Sequence, residues 1–509
     1  VKPVRMSQRL GLSARWLAVV SVVLVALLLV AVMWKPTTSS AGEKLVVYCA
    51  AGIKPPVDAA AKQFEQEYGV QVEIRADASG ALVASINEAR EGDLFIPADD
   101  SFMDIARKGG NIAEAIPLAK LNLVVATPPG NPGKVQTLGD LNNEALRVGV
   151  CSAQAAVGKV AQQFLTDNGM WPVLQKRAIQ KPTVNALALD VQVGQIGAAF
   201  IWDAVAKQYK LDIVPIAGLE KITSTVSVGV LKKTVRNPTL ALRFARYLAA
   251  SDRGGVHFAQ QHYQTIKGDI WAWEPTILVF TGGLNRNAIK TTVEEFGVRE
   301  GIKINTKADG CGNLVSQMKA GERPDLYVAC DVSFLNKDVT SNWFDAENKL
   351  TTVRIVIITP KNNPRNVKAL EDLAQPGLKL GAGRPGAATL GDLTVSLLKS
   401  KGLHENVWKN VVKQTPTADM LVPDVVTGAL DAAIVYEPNV AKVKNDVLML
   451  IIPEPLANAT QPLAVGAGTL YPQLCYRLKA RLMADESRAR FEALGFRWVA
   501  LPPTTAGDQ

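Results

Sequence analysis

The chain repeats itself once, at long range. Leu45-Val46-Val47-Tyr48 returns as Ile277-Leu278-Val279-Phe280, and Val124-Val125-Ala126-Thr127-Pro128 returns as Val356-Ile357-Ile358-Thr359-Pro360. Between them, Asp93-Leu94-Phe95-Ile96-Pro97-Ala98-Asp99 returns as Asp325-Leu326-Tyr327-Val328-Ala329-Cys330-Asp331. Every pair is offset by 232 residues. Solenoid units run to about 20–50 residues, so this period is that of a whole domain. A chain of 509 residues also exceeds what one hydrophobic core holds together. Two tandem copies of one domain are expected, and positions kept in both can be separated from those that differ.

Each copy opens with a short apolar strand, a glycine-containing turn and an amphipathic helix. The helix carries Val57, Ala61, Phe64 and Tyr68 on one stripe in the first copy, and Ile289, Val293 and Phe296 in the second. That is the spacing of a helix laid on a sheet. A second strand, a small-residue turn, another helix and the buried runs at 93–96 and 325–328 follow. Asp99 and Asp331 are placed to cap what comes next. The β-α-β-α-β order predicts a mainly parallel sheet with helices on both faces. Halfway along each copy, a strand ending in Thr-Pro leads to a second α/β lobe, which opens at 146–150 and at 378–382. The expected domains are 44–265 and 276–500, joined by a linker at 266–275 and followed by a polar tail at 501–509.

The net charge of +9 is unevenly placed. Lys2, Arg5, Arg9, Arg15 and Lys35 all precede the first acid, Glu43. The rest is close to balance and gives no support for a nucleic-acid partner. Residues 16–34 form an uncharged apolar run with Trp16 and Trp34 at its ends. As a helix it spans about 28 Å, the thickness of a bilayer core. The basic leader at 1–15 keeps the N-terminus in the cytoplasm. A single-pass anchor or uncleaved signal in the inner membrane is expected, with everything after about residue 42 outside the cytoplasm. Cys49, Cys151, Cys311, Cys330 and Cys475 contain no C-x-x-C. They form neither a zinc site nor a disulfide framework, although one bridge is open to them. The three histidines, His257, His262 and His404, occupy no repeat-matched position.

The string 45–52 (Leu-Val-Val-Tyr-Cys-Ala-Ala-Gly), the turn 76–82 (Ala-Asp-Ala-Ser-Gly-Ala-Leu) and the run 92–99 (Gly-Asp-Leu-Phe-Ile-Pro-Ala-Asp) carry a resemblance. In this order and spacing they resemble the molybdate-binding periplasmic proteins of ABC transporters, through essentially all of both copies. The resemblance implies an α/β fold of tandem type II periplasmic-binding-protein domains. Each would have two α/β lobes around a ligand cleft, here preceded by a transmembrane helix. It implies capture of a small oxyanion such as molybdate or tungstate, an ABC permease as partner, no cofactor, no metal and no catalytic residue.

Carried over position by position, the resemblance implies ligand contacts at Gly52, Ser79, Val157, Val184 and Trp202 in the first copy. In the second it implies Leu284, Cys311, Leu390 or its neighbour Thr389, Ala418 and Tyr436. The family's first serine is Gly52 and Leu284 here, which leaves only backbone N–H groups to serve. Its second serine is kept as Ser79 and becomes Cys311, a weaker donor. Its tyrosine becomes Trp202 and is kept as Tyr436. Helix starts offer unpaired N–H groups and a positive dipole end to an anion. Ligands of open α/β sheets gather beyond the carboxyl ends of strands. Lys54, Arg286 and Arg384 are auxiliary anion contacts that would replace missing hydroxyls with charge.

Plainer roles compete with these. Ser79 also suits a turn residue that satisfies its own backbone, and Cys311 a small buried filler. Trp202 and Tyr436 also suit core aromatics. Asp77 and Asp309 recur as turn-stabilising acids. Gly381-Ala382-Gly383-Arg384-Pro385-Gly386 matches G-x-G-x-x-G. The first copy has Gly149-Val150-Cys151-Ser152-Ala153-Gln154 there, so it reads as a turn of the second lobe. The alternative function is a non-transport sensor or scaffold with degenerate clefts. An enzyme finds no recurring catalytic constellation.

Overall fold

The computed structural model describes residues 42–335 and 342–500. The apolar run at 16–34 and the tail at 501–509 lie outside the described residues. Among the described residues, no helix is long and apolar enough to cross a membrane.

The first copy forms strands β1 (Lys44–Ala50), β2 (Gln71–Asp77), β3 (Leu94–Ile96), β4 (Ile112–Thr127) and β5 (Val148–Cys151). It continues with β6 (Ile179–Lys181), β7 (Ala198–Trp202), β8 (Asp212–Val214), β9 (Thr223–Leu231) and β10 (Gln264–Thr265). Their order is β2-β1-β3-β9-β4-β7-β5-β6, with β8 and β10 also paired to β4. The second copy forms β11 (Thr276–Gly282), β12 (Lys303–Asp309), β13 (Leu326–Val328), β14 (Asn348–Pro360) and β15 (Leu380–Gly383). After them come β16 (Val411–Thr415), β17 (Ala432–Tyr436), β18 (Val447–Ile451), β19 (Asn458–Val465) and β20 (Arg497–Trp498). Their order, β12-β11-β13-β19-β14-β17-β15-β16, is the first sheet again.

The parallel pairs expected from the β-α-β order are present: β1 with β2 and β3, and β5 with β6 and β7. Between them, β4 and β9 run antiparallel to their neighbours. The reason is that β4 belongs to both lobes. Residues 112–122 pair with β9, and 123–126 pair with β7. In the same way, residues 348–354 of β14 pair with β19 and 355–358 with β17. A polar lock sits at each crossing. Asn122 donates its N–H and its amide to the Asp203 carboxylate at 3.0 and 3.2 Å. At the matching place Arg354 makes a two-pronged pair with Glu437, both contacts 2.8 Å.

The recurrent acids prove to be framework. Asp93 accepts the Val46 N–H at 2.8 Å and Asp325 accepts the Leu278 N–H at 2.7 Å, tying each first strand to the segment before its neighbour. Asp99 caps helix Asp100–Lys108 by accepting the Ser101 N–H, and Asp331 accepts the Ser333 N–H. Asp77 and Asp309 accept the N–H of the residue that follows them. Helix Lys54–Tyr68 buries Val57, Ala61 and Phe64, and helix Arg286–Glu300 buries Ile289, Val293 and Phe296. Both end at a glycine in the left-handed region, Gly69 at φ 70° and Gly301 at φ 63°.

The segment 266–275 is pinned between the copies. Trp273 stacks on Tyr68 at 4.4 Å between centroids, and the Trp271 indole N–H donates to the Tyr68 hydroxyl at 2.8 Å. Asp269 accepts the Gln473 and Leu474 N–H groups at the start of helix Pro472–Leu482, so a linker side chain caps a helix of the second copy. Deeper in, Glu300 is 1% exposed and receives two arginines. Arg477 of its own copy contacts it at 3.1 and 2.8 Å, and Arg246 of the first copy donates to its carbonyl at 3.0 Å with the carboxylate 3.6 Å away. Burial pulls Arg246 down to about 10, below the ordinary arginine range. Beside them, Arg299 grips Glu114 with two contacts of 3.0 and 2.7 Å.

Within each copy the lobes meet across the cleft. The Gly80 N–H donates to the Gln154 carbonyl at 2.8 Å, and the Gly312 N–H to the Ala387 carbonyl at 3.0 Å. A Cβ on Gly312 would lie 2.0 Å from the Gly386 carbonyl oxygen, a backbone atom with nowhere to go. A Cβ on Gly80 would first meet the end of the flexible Gln154 side chain.

Two outcomes follow from this packing. Glu300→Ala leaves two buried arginines unpaired and lowers the unfolding free energy by about 3–5 kcal/mol, read by denaturant titration. Lys54→Ala removes only the surface pair to Asp58 and changes it by less than about 1 kcal/mol. Equal effects would contradict the assignment. Gly312→Ala holds the second pair of lobes apart and speeds reaction of the buried Cys311 and Cys330 with a thiol reagent. An unchanged labelling rate would contradict it.

Candidate functional site

In the second copy, a cavity of about 20 Å³ lies where the lobes meet. Each element that reaches it ends or begins there. Gly283 and Leu284 follow β11, and Cys311 opens helix Cys311–Lys319. Thr389 and Leu390 open helix Thr389–Ser400, and Ala418 opens a single 3-10 turn. Tyr436 closes β17. All five second-copy positions implied by the resemblance (Leu284, Cys311, Leu390, Ala418 and Tyr436) therefore line one cavity. Thr389, given as the alternative to Leu390, lines it too. Arg286 and Arg384 are exposed and stand outside the lining. No Asp, Glu, Lys, Arg or His contributes to this lining among the described residues.

The cavity wall carries donors with nothing to donate to. Among the described residues, the Thr389 and Tyr436 hydroxyls are buried without a hydrogen-bond partner at normal distance, as is the nearby Tyr327 hydroxyl. Burial pushes the Tyr436 phenol well above its ordinary value, so it stays protonated and acts as a donor. Cys330 also lines the cavity, and its N–H donates to the Cys311 sulfur at 3.2 Å. The Cys311 sulfur and burial together push the Cys330 thiol well above its ordinary value. Burial works against ionisation of Cys311, and the neighbouring Cys330 thiol, Tyr327 hydroxyl, Cys330 N–H and Thr389 hydroxyl together overcome it, with a net lowering. All five cysteines are free and buried.

The first copy presents the same elements in the same places. Ser79 opens helix Ser79–Glu88, is 1% exposed, and accepts the Ala98 N–H at 3.2 Å. Its hydroxyl proton remains for donation. Val157 is the second residue of helix Ala156–Asp167, and Val184 the first of helix Val184–Gln192. Gly52 faces Val184 directly: a Cβ on Gly52 would lie 2.7 Å from a Val184 methyl. The Gly52 carbonyl accepts the Tyr263 hydroxyl. Trp202 closes β7, fully buried, with its indole N–H unpartnered, and the Asn185 side-chain oxygen is likewise buried and unpartnered. Lys54 points its ammonium to Asp58, one turn along its own helix.

Reading the sequence alone missed Cys330, Thr417 and Asn439 in the second cleft, and Gln154 and Asn185 in the first. Cys330 had a signal, since it interrupts a recurrent motif where the first copy has Ala98. The others lie in loops and helix starts that match only in three dimensions. Among the described residues, no group of three or more His, Cys, Asp or Glu is arranged to hold a metal ion.

A family model described as bacterial extracellular solute-binding protein matches residues 45–264 and again 277–497. The molybdate-binding protein ModA of Mycobacterium tuberculosis is 24% identical over 224 residues, covering 43% of this chain and 84% of its own. The molybdate-binding protein ModA of Escherichia coli is 31% identical over 176 residues, covering 32% of this chain and 68% of its own. Among solved structures, the periplasmic molybdate-binding protein of Azotobacter vinelandii is 20% identical with a TM-score of 0.38, covering 43% of this chain and 98% of its own. The chain belongs to the bacterial extracellular solute-binding protein family, as two tandem copies related to the ModA proteins.

Proposed function

We propose that this is a membrane-tethered, extracytoplasmic solute-binding protein that captures a small oxyanion of the molybdate or tungstate kind and hands it to an ABC permease. The anchor is the apolar run at 16–34, which puts the bulk of the chain on the outer side of the inner membrane. The observation that carries the reading is the make-up of the cleft. Helix starts from both lobes meet there, and among the described residues the cavity of the second copy is lined without a charged side chain. Such a cage holds its ligand by N–H and hydroxyl donors and by helix dipoles. It selects by size and protonation state, which suits capture and release without chemistry. The first copy is built of the same elements and keeps Ser79, so molybdate is assigned to the first cleft. Lobe closure about the shared strand β4 is the capture step.

The second reading, a non-transport sensor or scaffold, draws on one feature. In the first cleft Val184 sits against Gly52, and the bulky Trp202 stands where the second copy has Tyr436. Thermal unfolding of the full chain with molybdate, tungstate, sulfate and phosphate separates the two. A ligand at a hundred times its Kd adds about 2.7 kcal/mol to stability. Molybdate and tungstate are expected to raise Tm, and Ser79→Ala to remove most of the rise. No rise with any of the four anions would favour the scaffold and sink the transport reading.

A further inference from the structure

We infer that the second cleft is a distinct site for an oxyacid of a thiophilic element, bonded through Cys311 and Cys330, with arsenite as the probe. The inference rests on reading the clefts as solute sites, and it names the ligand class of the second one.

Comparison of the copies, place by place, carries it. Ser79 becomes Cys311 at the first position of a helix, and Ala98 becomes Cys330 just beyond a strand. Ala50 becomes Gly282 at the end of the first strand. That last change makes room for the thiols. A Cβ on Gly282 would lie 2.0 Å from the Cys330 sulfur and 3.0 Å from the Cys311 sulfur. Gly282 has an ordinary negative φ of −59°, so space is the reason for a glycine there. The same distances place the two sulfurs within about 5 Å of each other. A thiol at position 330 requires a glycine at 282, and the chain has both. Two of the surrounding changes add hydroxyls, while Gly52 becomes Leu284 and adds an apolar wall. Ala156 becomes Thr389 and Trp202 becomes Tyr436, each adding a hydroxyl that is buried and unpartnered. The second cleft thus gains two sulfurs for a soft centre and two hydroxyls to face its remaining oxygen.

The chemistry balances without an oxidant. Arsenite at neutral pH is the uncharged acid As(OH)3, which suits a lining that holds no charged side chain among the described residues. Each thiol sulfur forms a bond to arsenic, and each departing hydroxide leaves as water with the thiol proton. Two As–O bonds are exchanged for two As–S bonds, arsenic stays trivalent, and the remaining hydroxyl faces Thr389 and Tyr436. The cavity of about 20 Å³ holds little beyond one water. The lobes therefore part to admit the acid, and bonds to sulfur, shorter than van der Waals contacts, let the centre sit between the thiols.

The test uses the full chain, reduced and desalted, dialysed against sodium arsenite, with bound arsenic counted by elemental mass spectrometry. One arsenic per chain is expected. Cys311→Ser and Cys330→Ala, which restore the residues of the first copy, should each weaken binding at least about tenfold. Cys475→Ser should leave it unchanged. An unmodified chain that takes up no arsenic would overturn the inference, as would Cys311→Ser and Cys330→Ala variants that bind it with the original affinity. Parallel dialysis against molybdate keeps the two ideas apart. Molybdate binding without arsenite binding removes the inference and leaves the solute-binding reading standing. Arsenite binding without molybdate binding supports the inference and removes molybdate from the first cleft.

Discussion

Each copy hangs on one strand that belongs to both of its lobes. β4 and β14 hydrogen-bond to the first lobe along one stretch and to the second along the next, without a break between. The crossing points are locked by Asn122 with Asp203 and by Arg354 with Glu437. The residue before each acid is the cleft aromatic, Trp202 or Tyr436. That aromatic is thereby fixed to the strand that both lobes share. A ligand bound between them gains its contacts from both lobes at once, and the cost of bringing the lobes together is limited by the ladder they share.

The two copies are joined less loosely than a linker between equal domains suggests. Trp271, Trp273 and Asp269 commit the connecting segment to helices on either side, and Glu300 gathers an arginine from each copy. Buried ion pairs add little net stability, because desolvation offsets attraction, yet losing one partner is costly. Each cleft lies within one copy, between that copy's own lobes.

Much of the scaffold was legible in the residues. The offset of 232 marks two domains, and the β-α-β order gives the parallel pairs, with Val57, Phe64, Ile289 and Phe296 buried as their spacing requires. The antiparallel crossing of β4 and β9 was not legible, since strand pairing is set by partners about a hundred residues apart rather than by local pattern. At the site, the five matched positions of the second copy all fall on the lining of one cavity, while Cys330, Thr417 and Asn439 on the same lining were not reached. Arg286 and Arg384 fell outside it because each is exposed, and in the first copy Lys54 turns to Asp58 on its own helix. Cys330 and Gly282 show why proximity matters. Either looks like a small filler in sequence, and only the clash of an added Cβ with both sulfurs shows that the two changed together.

The central claim is that the scaffold is repeated and the binding chemistry is not. Calorimetric titration of the full chain with molybdate tests it most directly. One molybdate per chain, lost in Ser79→Ala and kept in Cys311→Ser, is the result predicted. Two equivalent molybdate sites per chain would contradict it.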